Sequence, residues 1–211
     1  MLASIAENAT LVRIGLSAVT VLVWIAYLHL LLTNLRHQRR PVLLINTGAG
    51  RGVRQRCFLS NLGMEPIYLM DVAIRVEAGD RVAVAAITDP DPESDGAARQ
   101  AAQATNQGPL DSGAMRDIGC FETLIRRALD TVGGAQMEDV TRLDLVAVFA
   151  VAAQNRICAA KRGFAILEGD PPDLVPDAVR ARQITGWWRR RRLGQWLEAR
   201  RQGKHDAGGL P

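Results

Sequence analysis

Residues Ile14 to Leu32 form the sequence IGLSAVTVLVWIAYLHLLL, which contains no Asp, Glu, Lys or Arg. As an α-helix this run is about 28 Å long, close to the hydrocarbon thickness of a bilayer. A helix in lipid satisfies its own backbone hydrogen bonds, and this outweighs the lower helix propensity of the β-branched residues. The run therefore predicts one transmembrane helix over residues 11–33.

Basic residues follow the span and predict its orientation. Arg13 stands alone upstream, whereas Arg36, Arg39 and Arg40 lie in a linker over residues 34–41. The positive-inside rule puts this side in the cytoplasm and residues 1–10, a short arm, in the periplasm of a bacterial cell with the span in its inner membrane. A cleaved signal peptide is disfavoured because no small-residue cleavage site follows. A buried core helix is the other alternative.

Three polar or aromatic side chains lie in or near the cytoplasmic half of the span: Trp24, Tyr27 and His29. An intramembrane histidine is a functional candidate by default. The alternative is a neutral imidazole bonded to a backbone carbonyl or to a neighbouring helix. The sequence does not fix the oligomeric state.

Residues 42–170 predict a mainly-β cytoplasmic domain. Whole-chain composition, with 48% hydrophobic and 23% charged residues, excludes collagen, coiled coils and polytopic membrane proteins. Short apolar or alternating runs separated by turns predict antiparallel strands in an immunoglobulin-like sandwich or a barrel. These runs cover residues 42–46, 54–60, 67–76, 82–87, 143–151, 156–160 and 164–167. In the third run, Tyr68, Met70, Val72, Ile74 and Val76 share the face predicted to be buried.

Two further segments interrupt the strands. Apolar residues from Ile118 to Leu129 recur at helical spacing and predict one amphipathic helix that ends before Gly133. Residues 89–114 form an acidic, proline-containing insertion without apolar periodicity, which predicts disorder. The alternative is a docking site for a basic partner or for the chain's own tail.

One short stretch of the domain resembles a known family. Arg56, Ser60-Asn61-Leu62, Pro66-Ile67 and Ala73-x-Arg75 are similar to the start of the cytoplasmic immunoglobulin-like sandwich of inward-rectifier potassium channels. The resemblance covers about 20 residues. It implies a sandwich only, and no function or residue role is carried over.

Residues 171–211 form a basic tail rich in Trp and Arg. Residues 177–204 hold nine Lys or Arg against two acidic residues, so they carry +7 in a chain whose net charge is +4. Tryptophan favours the headgroup layer and arginine pairs with anionic phosphate, which predicts docking on a membrane surface or a partner. The residues predicted to dock are Trp187, Trp188, Arg189, Arg190, Arg191, Arg192 and Trp196. On a single straight helix, one apolar cluster would lie nearly opposite another: Ile184, Trp187 and Trp188 against Leu193, Trp196 and Leu197. Either Gly186 or Gly194 therefore breaks the helix, or one of the two clusters packs on the domain.

The sequence presents no catalytic, cofactor or metal motif that we recognise. The histidines are His29, His37 and His205, and none lies in the β-domain. Cys57, Cys120 and Cys158 lack metal-ligand spacing and are predicted to be buried, reduced thiols. The glycines at positions 48, 50 and 52 predict a hairpin loop, with an anion-binding loop as the alternative.

The sequence thus predicts a non-enzymatic single-pass inner-membrane protein. Its β-sandwich would act as an interaction or regulatory module for an unknown protein partner, and its tail would dock on anionic lipid headgroups or a partner. Two alternatives stay open: a tail that binds nucleic acid or ribosomes, and an accessory subunit of a larger membrane complex.

Overall fold

The computed structural model describes residues 2–38, 40–87, 105–151, 156–186, 191–196 and 198. The chain divides into two compact units, Met1–Arg40 and Pro41–Pro211.

The first unit is one long helix, α1, from Leu2 to Gln38. Its segment Ala9–Leu35, with a mean hydropathy of 2.0, is long and apolar enough to cross a membrane, and none of that segment's most apolar stretch is buried by protein. The helix extends beyond the predicted span into both the arm and the linker. Pro41 disfavours helix at the residue before it, which is consistent with an end at Gln38.

The second unit is mainly β, with every strand pair antiparallel among the described residues. The strands are β1 Leu43–Thr47, β2 Arg56–Asn61, β3 Ile67–Ala78, β4 Arg81–Ala86, β5 Gly108–Leu110, β6 Met115–Cys120, β7 Val140–Val151, β8 Arg156–Leu167, β9 Asp173–Pro176 and β10 Arg182–Ile184. A small sheet has the order β1-β2-β6, and a large sheet has the order β10-β8-β7-β3-β4, with β5 on β3 and β9 on β8. The β1–β2 pair confirms the predicted hairpin around the glycine-rich loop.

Both sheets contribute side chains to one hydrophobic core together with helix α2, Phe121–Asp130. The helix buries residues three or four positions apart, as the amphipathic pattern predicts. Its first residue, Phe121, packs against Phe164 of β8 with ring centroids 5.0 Å apart. Ile118, which we predicted in the helix, instead lies in β6.

A β-bulge in β3 changes which side chains face the core. The register against β7 shifts between Leu69 and Asp71. Val72, Ile74 and Val76 are buried as predicted, but Tyr68 is 49% exposed. An inserted residue reverses the alternation of side chains along a strand, so the predicted inward orientation of Tyr68 is wrong.

Strand β8 is continuous where the sequence predicted two strands and a turn. It pairs with β7 from Arg156 to Ala165 without interruption. Gly163 lies opposite Asp144, and a Cβ atom there would meet the side chains of Asp177, Arg142 and Asp144. This glycine therefore admits the neighbouring charged groups and does not mark a turn.

The predicted insertion 89–114 is partly ordered. Residues 89–104 lie outside the described residues, but Gly108–Leu110 pairs with the start of β3 as β5. The buried Asn106 donates from Nδ2 to the Ile87 carbonyl at 3.0 Å. Arg116 donates to the carbonyls of Asn106 and Pro109 at 3.0 and 2.8 Å. The prediction of disorder is therefore wrong for residues 105–114.

The sheet also extends past residue 170, where the sequence predicted its end. Strand β9 pairs with β8 and places Pro176 opposite Phe164, and β10 pairs with β8 further along. Proline is tolerated on such a strand because its missing N–H can face away from the ladder. The tail as predicted, residues 171–211, therefore begins with two sheet strands.

We expect Gly52→Ala to destabilise the domain more than Gly79→Ala. Both glycines have left-handed backbones, with φ of +53° and +56°, so both variants incur a similar strain of about 1–2 kcal/mol. Only at Gly52 would the added Cβ overlap a backbone atom, the carbonyl oxygen of Pro172, whereas Gly79 has open space. Denaturant unfolding of the two variants measures the difference, and equal losses would contradict this prediction.

Candidate functional site

The side chain of Asn61 joins the two sheets at one end of the domain. It is fully buried, and its Nδ2 donates to the carbonyls of Glu65, Leu110 and Asp111 at 3.0, 3.1 and 3.2 Å. Its Oδ1 accepts from the Gly63 amide at 3.0 Å. The end of β2, the end of β5 and the start of β3 therefore lie together, and we call this the Pro41 end because the domain begins here.

Strand β10 directs the chain toward the same end. Gln183 bonds both backbone groups of Leu43: Oε1 accepts from the amide at 3.2 Å and Nε2 donates to the carbonyl at 2.8 Å. Residues 182–184 pair with residues 161–159 of β8, so β10 runs toward the first residue of β8. That residue, Arg156, is opposite Val151, which also pairs with Ile67 at the start of β3. The predicted docking segment begins at Trp187, three residues along the chain from Ile184, the last residue of β10. It therefore follows, in sequence, a strand that runs toward the Pro41 end.

The described part of the tail packs on the domain itself. Residues 191–196 are helical, with Leu193 fully buried and Trp196 partly buried against the outer face of the large sheet. The sheet residues in this second apolar cluster are Val146, Val148, Ile157, Ala159 and Ile184. Arg191 and Arg192 are exposed. Trp187, Trp188, Arg189 and Arg190 lie outside the described residues.

This packing explains how one tail can carry two apolar clusters. Trp196, which we predicted to dock on a membrane or partner, lies against the protein's own sheet, and Ile184 lies in a strand and not in a helix. A single helix need not place both clusters on one surface. Leu193 lies three residues before Trp196, and the helix face that this spacing predicts they share is the one that packs on the sheet.

The span residues predicted as candidates are all exposed on α1. Ile14, Trp24 and Tyr27 are 62%, 66% and 58% exposed, and the rings of Trp24 and Tyr27 meet edge to face at 6.1 Å. His29 and Leu32 are also exposed, and Thr33 donates its hydroxyl to the His29 carbonyl at 2.8 Å. Among the topology-setting residues, Arg40 is exposed. The side chains of Arg36 and Arg39 lie outside the described residues.

A charged cluster lies on the outer face of the large sheet. The buried carboxylate of Asp144 has Lys161 Nζ at 3.4 Å and guanidinium nitrogens of Arg75 and Arg142 at 3.6 Å. Two of these cations also pair with a second carboxylate, Arg75 with Glu77 and Arg142 with Asp177. The three neighbouring cations compensate the burial of Asp144. Among the described residues, no group of three or more His, Cys, Asp or Glu side chains could hold a metal ion.

A half-buried charge, Arg162, connects the two sheets. It donates to the Ile45 carbonyl in β1 and to the Ala178 carbonyl at 3.2 Å, and its guanidinium lies 5.4 Å from the Phe164 ring centre. Burial lowers the pKa of Arg162. Together with Gln183, it satisfies backbone groups on the outer edge of β1, which would otherwise be open to pairing with another strand.

The three cysteines are free thiols. Cys57 and Cys158 are buried, as predicted, whereas Cys120 is half-buried with its sulfur 3.2 Å from the Thr123 hydroxyl. Burial, with a smaller contribution from Asp117, raises the pKa of Cys57 well above its ordinary value. This thiol is therefore protonated at neutral pH, which makes it a poor nucleophile.

Comparisons with family models, curated proteins and solved structures found no match to this chain.

Proposed function

We propose that this chain is a single-pass bacterial inner-membrane protein, with its N-terminus outside and its β-domain in the cytoplasm. The domain, an immunoglobulin-like sandwich, serves as a non-enzymatic interaction or regulatory module for a protein partner. The observation that carries the proposal is the helix segment Ala9–Leu35, whose apolar side chains are not covered by protein. Contact between such an apolar surface and water is unfavourable, whereas in a bilayer the same side chains contact hydrocarbon.

The tail supplies a second attachment to the bilayer in this proposal. Gln183 holds Leu43, which is two residues after Pro41, the first residue of the β-domain unit, and Trp187 follows only four residues after Gln183. Tryptophan favours the headgroup layer, and each arginine near an anionic leaflet contributes about 1 kcal/mol. Leu193 anchors the tail to the sheet, while Arg191 and Arg192 stay exposed for anionic headgroups.

Exposed arginines also fit a nucleic acid, which is the second candidate ligand of the tail. Trypsin digestion of the full chain in nanodiscs with anionic or neutral lipid, with and without competing RNA, separates the two. Lipid docking predicts protection of the tail from trypsin by anionic lipid, unchanged by RNA. Protection by RNA in neutral nanodiscs would instead favour nucleic-acid binding, with a steep loss as salt rises.

We expect the orientation to depend on the basic linker. In cells, a C-terminal alkaline phosphatase fusion to the natural chain should be inactive, because phosphatase needs the oxidising periplasm. Replacing Arg36, Arg39 and Arg40 with Gln, together with Ala3→Arg and Ala6→Arg in the arm, should make the fusion active in part of the population. The arm substitutions alone are the control.

Resistance to alkaline carbonate tests the span itself. The natural chain should stay with the membranes, since a spanning helix is not removed by breaking electrostatic contacts. Release of the chain would contradict the proposed span, and an active phosphatase fusion to the natural chain would contradict the proposed orientation.

A further inference from the structure

Three large apolar side chains are exposed together at the Pro41 end. Leu62, Met64 and Met115 are 58%, 65% and 62% exposed. Single exposed apolar residues are common on protein surfaces, but a group rimmed by polar residues marks an interaction site. Met115 is opposite Ser60 in the small sheet. Ser60 is two residues before Leu62, in the turn that also carries Met64.

The backbone that carries these side chains is firmly held. The Leu62 amide donates to the Val42 carbonyl at 2.9 Å, and the Ser112 hydroxyl donates to the Gly63 carbonyl at 2.7 Å. The backbone N–H of Asn61 donates to the carbonyl of Ala114, the residue before Met115, at 3.0 Å. The side chains therefore point outward from a fixed base, which limits the entropy lost when they bind a surface.

The distance along the chain favours lipid as the occupant. Five residues separate Leu35, the end of the apolar helix segment, from Pro41, so even a fully extended connection spans about 20 Å. The headgroup layer takes up about 5–8 Å of that distance on each side of a bilayer. Because Leu62 is bonded to Val42, the apolar group is tethered at very high local concentration near the membrane surface.

The charges at this end fit a shallow contact. Arg40 and Arg156 are exposed and can approach lipid phosphates. Asp111 is also exposed and Glu65 is half-buried, and carboxylates resist transfer into hydrocarbon. These groups together limit insertion to the boundary between headgroups and acyl chains.

We propose that Leu62, Met64 and Met115 form an apolar surface that rests on the cytoplasmic face of the bilayer and fixes the orientation of the β-domain. The proposal rests on the proposed span and cytoplasmic domain. It adds a contact made by the folded domain, separate from the tail.

The test uses the full chain in nanodiscs, with Cys120→Ser to remove the partly accessible thiol. Met64→Cys and Met115→Cys are each labelled with an environment-sensitive fluorophore, and lipids brominated near the headgroup serve as quenchers. Both probes should show blue-shifted emission and quenching by the brominated lipid. Val82→Cys is the matched control: Val82 is 48% exposed but lies opposite Glu77, at the far end of β3. Its probe should be neither shifted nor quenched.

Carbonate extraction of the same chain from membrane vesicles separates the two proposals. If the chain resists carbonate while the Met64 and Met115 probes stay unquenched, the lipid surface is wrong and the span stands. Emission that is blue-shifted but unquenched indicates a protein occupant, such as a second copy, and also overturns the proposal. Release by carbonate would instead contradict the span itself.

Discussion

Asn61→Asp is expected to lower the free energy of unfolding by about 3–5 kcal/mol at pH 7, because it leaves an uncompensated charge in a buried site. The carboxylate would replace an amide that donates to three backbone carbonyls, of Glu65, Leu110 and Asp111. An ionised carboxylate has no proton to donate, so oxygen would face oxygen. This side chain is fully buried, and water cannot screen the repulsion.

The same variant should regain stability in acid. Burial and the surrounding carbonyls favour the protonated carboxyl, so the folded-state pKa lies above the unfolded value of about 3.9. In the interval between these two pKa values the folded state binds more protons than the unfolded state. The stability of Asn61→Asp relative to the natural chain should therefore fall as pH rises from about 4, by up to about 1.4 kcal/mol per pH unit.

Asn46→Asp is the matched control. Asn46 lies half-buried in β1, so the same chemical change meets solvent there. Denaturant unfolding of the natural chain and both variants between pH 4 and 8, in one detergent, measures the difference. A similar loss for both variants, or a loss at position 61 that does not change with pH, would contradict the role assigned to Asn61.

The parts of this fold that the sequence predicts are those written in local patterns. The charge-free run around Trp24 predicts a spanning helix because hydropathy accumulates along consecutive residues. The alternation of Val72, Ile74 and Val76 in β3 and the helical spacing within α2 likewise depend on neighbours in the sequence. The antiparallel, mainly-β domain follows from strands joined by short turns.

The parts it misses depend on contacts between distant residues. Gly163 resembles a turn residue until the charges of Asp177 and Arg142 are placed beside it. Tyr68 is exposed because of a bulge that is defined only by pairing with β7. Asn61 and Gln183, which define the Pro41 end, are polar residues whose partners lie up to 140 positions away. No local pattern marks such residues as the ones that join distant parts of the chain.

Leu193→Ala is expected to release the tail from the sheet. Leu193 is fully buried in an apolar cluster with Val146, Val148 and Ala159. Removing a buried leucine side chain costs about 2–5 kcal/mol. The tail opens locally, so a loss of about 2 kcal/mol raises its open population about 30-fold. Trypsin cleavage in the arginine run should accelerate by a similar factor in neutral nanodiscs.

Gln195→Ala is the control for this variant, because Gln195 is exposed and lies two residues away on the same helical segment. Glutamine and alanine both have good helix propensity, so the substitution should not unwind the segment. It should leave the cleavage rate unchanged, and equal rates for both variants would contradict the docking of Leu193. The result also bears on lipid binding. If Leu193 holds the arginines at the bilayer, Leu193→Ala should lose the protection that anionic lipid gives to the tail. If the sheet instead withholds the tail from lipid, the same variant should gain protection, and the sheet would then compete with the membrane for one segment.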